Sequence, residues 1–223
     1  MFYDTPAFGL TIEAVKLWRR APGGSTPAVG SSVRRLAILP GSFNPPTLAH
    51  LALAEQALAF APEVVLALPS AMPHKIFDHV CAMERLRLMV AACEPYPHFS
   101  VAQMDRGLFI EMARECRLHW GPQVEIAFVC GRDAAERIVT WKYADGDSIE
   151  RQLTEYSLLV ASRLGHYEPP PHLAHRITNL PLDRSFDAHS ATDVRTRLAE
   201  GVPWQHLVPE QIVPLVEQIY RQP

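Results

Sequence analysis

RLAILPGSFNPPTLAHLALAEQALAFAPEVVLALP, residues 35–69, decides the reading of the fold. Within it, LAIL (36–39) is a continuous apolar run stopped by Pro40 and Gly41. LAHLALAEQALAF (48–60) has helical length and composition, and VVLALP (64–69) is a second apolar run. Short runs without polar alternation fit strands covered on both faces, and a helix between two of them fits a parallel βαβ unit. The rhythm continues outward. A loop over 70–81 precedes a helix over 82–93, FSVAQM (99–104) reads as a strand, and 108–119 as a helix. VEIAFVCG (124–131) is a buried strand followed by a helix after Asp133, SLLVASR (157–163) and RITNLP (176–181) are further strands, and helices over 191–199 and 210–221 close the chain. There are no internal repeats. The expected class is α/β, a doubly wound parallel sheet, which binds ligands beyond the carboxyl ends of its strands.

Upstream, residues 1–34 read as an appendage to a main domain over 35–223. Leu10 to Arg20 predicts a short helix with Ile12, Val15 and Trp18 on one face, and PGGSTPAVGSS (22–32) is a linker by composition. At 223 residues the chain can bury a full core, and 48% of it is apolar. The net charge of −3 lacks the basic surplus that binding to a nucleic-acid backbone requires, whereas a small phosphorylated ligand needs only a local cluster of cations. The four cysteines, Cys81, Cys93, Cys116 and Cys130, form no CxxC pair, so neither a zinc site nor a disulfide framework is expected. MFYDTPAFGL lacks the basic end and apolar run of a signal peptide, and no stretch approaches the ~20 apolar residues of a membrane span. The expectation is a cytoplasmic chain without a membrane partner, a homo-oligomer being left open.

Two segments carry chemistry. PGSFNPPTLAH (40–50) joins the first apolar strand to the first helix. Gly41 permits a sharp turn and close approach, Ser42 and Asn44 are small polar groups, and Thr47 and His50 are spaced to share a helical face. A hydroxyl, an imidazole, backbone amides and the helix dipole would there converge on one anion. SATDVR (190–195) is the second: Ser190 can cap a helix whose first turn offers Thr192, with Arg195 one turn on, a second phosphate-binding arrangement.

GSFNPPTLAH followed far downstream by SATDVR resembles the nucleotidyltransferase superfamily marked by HxGH-type and ISSTxxR-type motifs. PHK (73–75), Arg85, GRDAAERIVTW (131–141), SRLGHY (162–167) and LVPEQIVPLVEQIY (207–220) resemble its nicotinate/nicotinamide mononucleotide adenylyltransferase branch, and the likeness runs from about Arg35 to Tyr220. The resemblance implies a Rossmann-like nucleotidyltransferase fold and transfer of AMP from ATP to a pyridine mononucleotide, with magnesium carried by ATP. It implies Gly41, Ser42, Phe43, Thr47 and His50 at the ATP α-phosphate, with His50 stabilising the transferring phosphate. It implies Gly131 and Asp133 at the adenosine ribose, and Ser190, Thr192 and Arg195 around the β- and γ-phosphates. Asn44, Lys75, Arg85, Trp141 and Arg163 fall on the mononucleotide side, Lys75 also meeting phosphate, so that His50, Lys75 and Arg195 form the catalytic set.

The chain departs from the pattern at four places. Thr47 replaces the first histidine of HxGH and Ala49 its glycine, a form that resembles eukaryotic-type members. Ala191 replaces a serine of the second motif, and DRGLFIEMA (105–113) replaces a Thr-x-x-Thr-like segment that contacts the pyridine ring. Other readings are a cytidylyl or pantetheine-phosphate transferase of the same superfamily, or a nucleotide-binding protein that does not catalyse.

Overall fold

The computed structural model describes residues 14–23, 34–70, 80–141, 143, 147–161, 165–186 and 189–221. Seven strands form one sheet: β1 (Val15–Arg19), β2 (Arg35–Pro40), β3 (Val64–Pro69), β4 (Phe99–Met104), β5 (Glu125–Gly131), β6 (Ser157–Ala161) and β7 (Ile177–Leu180). Their order across the sheet is β1-β4-β3-β2-β5-β6-β7, and all pairs are parallel except the antiparallel β1–β4 pair at the edge. Apart from β1, the chain winds outward from β2 in one direction through β3 and β4, then returns to the centre and winds the other way through β5, β6 and β7. The reversal lies between β2 and β5, the switch point at which sheets of this class bind their ligands, beyond the carboxyl ends of the strands.

The apolar runs explain the layering. Alternate residues of one strand enter opposite cores. Leu36 and Ile38 of β2 pack with the face that carries α3 (Phe109–Trp120) and α5 (Ile149–Glu155), while Ala37 and Leu39 pack under α1 (Leu48–Ala57) and α2 (Ala82–Ala92). A third cluster joins Leu88 and Ala92 of α2 to α6 (Ala191–Glu200) and α7 (Val213–Tyr220) through the fully buried Trp204. The remaining helix, α4 (Arg132–Thr140), follows β5 without a loop.

Two local expectations change. The helix predicted over Leu10 to Arg20 is strand β1, with Leu10 to Glu13 outside the described residues. Val15 and Leu17 face one core and Trp18 the other, the two-residue period of a strand, and pairing with the open edge of β4 satisfies its backbone. Its end is tied down by the Arg19 guanidinium, which donates to the carbonyls of Phe99 and Tyr96, and by the Ala21 amide, which donates to Ser100 Oγ at 2.8 Å. Helix α5 was not expected; at seven residues it is too short for a periodic signal, and Ser148 caps it by accepting from the Arg151 amide. Most of the loop 70–81, and all of PHK, lies outside the described residues.

Candidate active site

Strand β2 ends at Pro40, and the Gly41 amide extends its ladder by one bond to the Ala67 carbonyl, 3.1 Å. The chain then leaves the sheet as a tight loop, 41–47, with a cis Asn44–Pro45 peptide bond and Phe43 in the left-handed region at φ 44°. A non-glycine residue with positive φ persists only where its surroundings over-determine it. The Phe43 ring supplies that constraint: it is fully buried, packs 5.1 Å from the His50 ring, and would lie 3.0 Å from a Cβ at position 41. Glycine is therefore required at 41 by the neighbouring ring. With its side chain inside, Phe43 can offer a ligand only its backbone.

Thr47 precedes α1 and is fully buried. Its backbone N–H donates to His50 Nδ1 at 3.0 Å, and its hydroxyl lies 2.8 Å from the same nitrogen. A backbone amide can only donate, so Nδ1 holds the lone pair and the proton of the neutral ring is assigned to Nε2. The ring is thus oriented by the residue that replaces the first histidine of the motif. Thr47 acts on His50 through Nδ1.

Three further helices reach the same loop. Arg85 of α2, 5% exposed, donates from Nη1 to the Ser42 carbonyl at 3.1 Å. Burial lowers its pKa from the ordinary guanidinium value, an effect partly offset by the Tyr220 oxygen. Arg195 of α6 donates from Nη1 to the Asn44 carbonyl at 2.5 Å and to Ala191 O at 3.1 Å, and from Nη2 to Thr192 Oγ1 at 3.3 Å. Ser190 caps α6 by accepting from the Asp193 amide at 3.0 Å, as its sequence predicts. Tyr220 of α7 donates its hydroxyl to Asn44 Oδ1, and burial raises its pKa, which keeps the phenol neutral and able to donate.

Gly41, Ser42, Phe43, Asn44, Thr47, His50, Arg85, Ser190, Thr192 and Arg195 are therefore gathered around one loop. Gly131 and Asp133 stand at the adjoining strand end, because β5 pairs directly with β2. A Cβ at Gly131 would meet no atom within 4 Å, so this position faces open space. Trp141 follows the nine residues of α4, about 14 Å away along the helix axis, and is 54% exposed. Lys75 and Arg163 lie outside the described residues. Tyr220 was not anticipated, and 176 positions separate it from Asn44, so no local spacing could reveal the bond. No group of three His, Cys, Asp or Glu side chains that could hold a metal occurs among the described residues, and no described helix is long and apolar enough to cross a membrane.

The pattern of the cytidylyltransferase-like family matches residues 38–197. The chain is 32% identical over 195 residues to the probable nicotinate-nucleotide adenylyltransferase of Moorella thermoacetica, covering 80% of this chain and 87% of that protein. It is 30% identical to a protein of the same name from Thermus thermophilus, covering 84% of this chain and 100% of the other. In three dimensions it resembles the nicotinic acid mononucleotide adenylyltransferase of Plasmodium falciparum, solved in complex with NaAD, at a TM-score of 0.62 and 16% identity over 83% of this chain and 95% of that one. At that identity the likeness speaks for the fold.

Proposed function

The chain belongs to the cytidylyltransferase-like family and is an enzyme of the nucleotidyltransferase class, and from that premise we propose that it joins nicotinate mononucleotide to the AMP part of ATP and releases pyrophosphate. One observation carries the reading: an oriented His50, backbone amides and the cations Arg85 and Arg195 converge on loop 41–47 at the switch point of the sheet. The relatives named above support nicotinate mononucleotide as acceptor and a place in NAD biosynthesis.

The chemistry suits these residues. A mononucleotide phosphate, with a second pKa of about 6, is largely a dianion at neutral pH and attacks without a general base. The protein must bring two polyanions together, align them and stabilise charge as pyrophosphate leaves. The amides of Ser42 and Phe43 face the α-phosphate, Gly41 (its own amide bonded to Ala67) lets the backbone approach it closely, His50 donates from Nε2 to the transferring group, and Ser190, Thr192 and Arg195 take the β- and γ-phosphates. Gly131 and Asp133 hold the adenosine ribose, while Asn44, Trp141 and, beyond the described residues, Lys75 and Arg163 serve the mononucleotide. Arg85 acts from beneath the loop on Ser42. ATP enters as its magnesium complex, which suits a site of amides, hydroxyls and cations with the metal held by substrate and water. We place the reaction in the cytoplasm and assign no role to nucleic acid.

One observation favours a second acceptor. Leu108, the N-cap of helix α3, and its first residues Phe109 and Ile110 offer no side-chain hydroxyl to a carboxylate, and Leu108 is half exposed. Nicotinamide mononucleotide is therefore the acceptor to run in parallel. Purified protein with magnesium, ATP and each mononucleotide is expected to form dinucleotide and pyrophosphate in equal amounts, faster with nicotinate. Faster turnover of the amide would assign the second acceptor. Measurable ATP binding with no product from either would refute the reaction.

A further inference from the structure

We propose that Tyr220 is a positioning residue of the nucleotide site, holding the side-chain amide of Asn44 so that loop 41–47 presents one fixed surface to substrate. The proposal rests on the function given above. Its basis is how the loop is held. The backbone of 41–47 lies outside the sheet ladder after Gly41 and carries Phe43 in a left-handed conformation, and the loop is pinned from outside at Ser42 by α2 and at Asn44 by α6 and α7. Arg85 takes the Ser42 carbonyl and Arg195 the Asn44 carbonyl. Both are cations, and Arg195 is also assigned to the phosphates, so its hold on the loop competes with its work on substrate. Tyr220 is the neutral member of the set and has no such second duty. Its bond therefore persists while ATP draws on Arg195.

The rest of Tyr220 has an ordinary reason to be where it is. Its ring packs against the cluster formed by α2, α6 and α7, together with Val216, Ile219 and Trp204. The hydroxyl reaches beyond that cluster to a buried amide on another element, 176 positions away. Packing fixes the ring, and the ring fixes Asn44. Asn44 in turn is held at two points, by its side chain from α7 and by its carbonyl from α6, which makes it the residue through which both closing helices act on the loop.

Tyr220→Phe removes the hydroxyl and keeps the ring. A single net hydrogen bond is worth roughly 3- to 10-fold in an equilibrium constant, and a loop that is competent only part of the time weakens apparent binding by the same fraction. The expected result is a 3- to 10-fold lower kcat/KM for ATP, carried mainly by KM, with the thermal midpoint lowered by no more than a few degrees. In an Asn44→Ala background the same substitution should change kcat/KM by less than twofold, because the partner is already gone. Amide hydrogen exchange of 41–47 should rise by a similar factor while that of β3 stays constant. Asn44→Ala breaks the bond from its other end and serves should Tyr220→Phe fail to fold. Given wild-type turnover, an unchanged kcat/KM, or an equal loss in both backgrounds, would overturn the proposal. If the wild type makes no dinucleotide, the function fails separately, and the exchange decides: a rise confined to 41–47 supports the positioning role, and no rise overturns it.

Discussion

The two sides of the sheet's switch point are built differently. On the side after β2, the loop is sealed from below by a fully buried Phe43 and Thr47 and tied from three helices. On the side after β5, Gly131 opens onto empty space and Trp141 stands more than half exposed. The first side is finished before any ligand arrives. The second is an open surface. This division fits the roles proposed for them: the group being transferred needs fixed donors, since preorganised dipoles act without reorganising during the reaction. The adenosine ribose and the acceptor ring, which do not change charge in the reaction, need only a face to rest on.

Replacing His50 probes the finished side most severely. His50→Ala is expected to lower kcat by ~10²–10³ with a smaller change in the KM for ATP, as for the loss of one preorganised donor. Steady-state kinetics checks this, and near-normal turnover would remove His50 from the chemistry. Two glycines then sharpen the contrast. Gly41→Ala forces a Cβ to within 3.0 Å of the Phe43 ring and should lower the thermal midpoint by several degrees even without ligand, as overpacking costs about 1–3 kcal/mol. Gly131→Ala meets nothing in the free protein, so its midpoint should be unchanged while the KM for ATP rises about tenfold, the equivalent of ~1.4 kcal/mol. A loss of stability at Gly131 would erase the distinction between the two sides. The smallest effect belongs to Trp141→Ala: KM for the pyridine mononucleotide should rise roughly 2- to 10-fold, the worth of one aromatic contact. The KM for ATP and the thermal midpoint should hold, and a fall in stability instead would make Trp141 a packing residue.

Much of this was legible in the chain. VVLALP and FSVAQM coincide with β3 and β4 because a strand buried on both faces writes an unbroken apolar run. Ser190 announced its cap because capping is a contact between near neighbours. The loop after β2 could be located from GSFNPPTLAH, but the reasons for its residues could not. Gly41 answers to a ring two positions on, and Thr47 works by orienting His50. Val15–Arg19 misled because its pairing partner lies some eighty positions away, so local pattern had little to set against the helical spacing of Ile12, Val15 and Trp18. Tyr220 was invisible for the same reason. Long-range pairings leave no local trace.

The antiparallel run of β1 has a practical corollary for anyone handling the protein. Val15 pairs with Met104 at the carboxyl rim, and Arg19 pairs with Val101 toward the opposite rim, so β1 enters the sheet from its carboxyl rim. Tyr220, at the other end of the described chain, sits on that side too, beside Asn44. Both ends of the described chain thus lie at the rim where substrate is proposed to bind, and a purification tag, fluorophore or surface tether is better carried elsewhere. The turn at Gly121–Gln123, exposed on the far rim just before β5, gives such cargo a berth away from traffic.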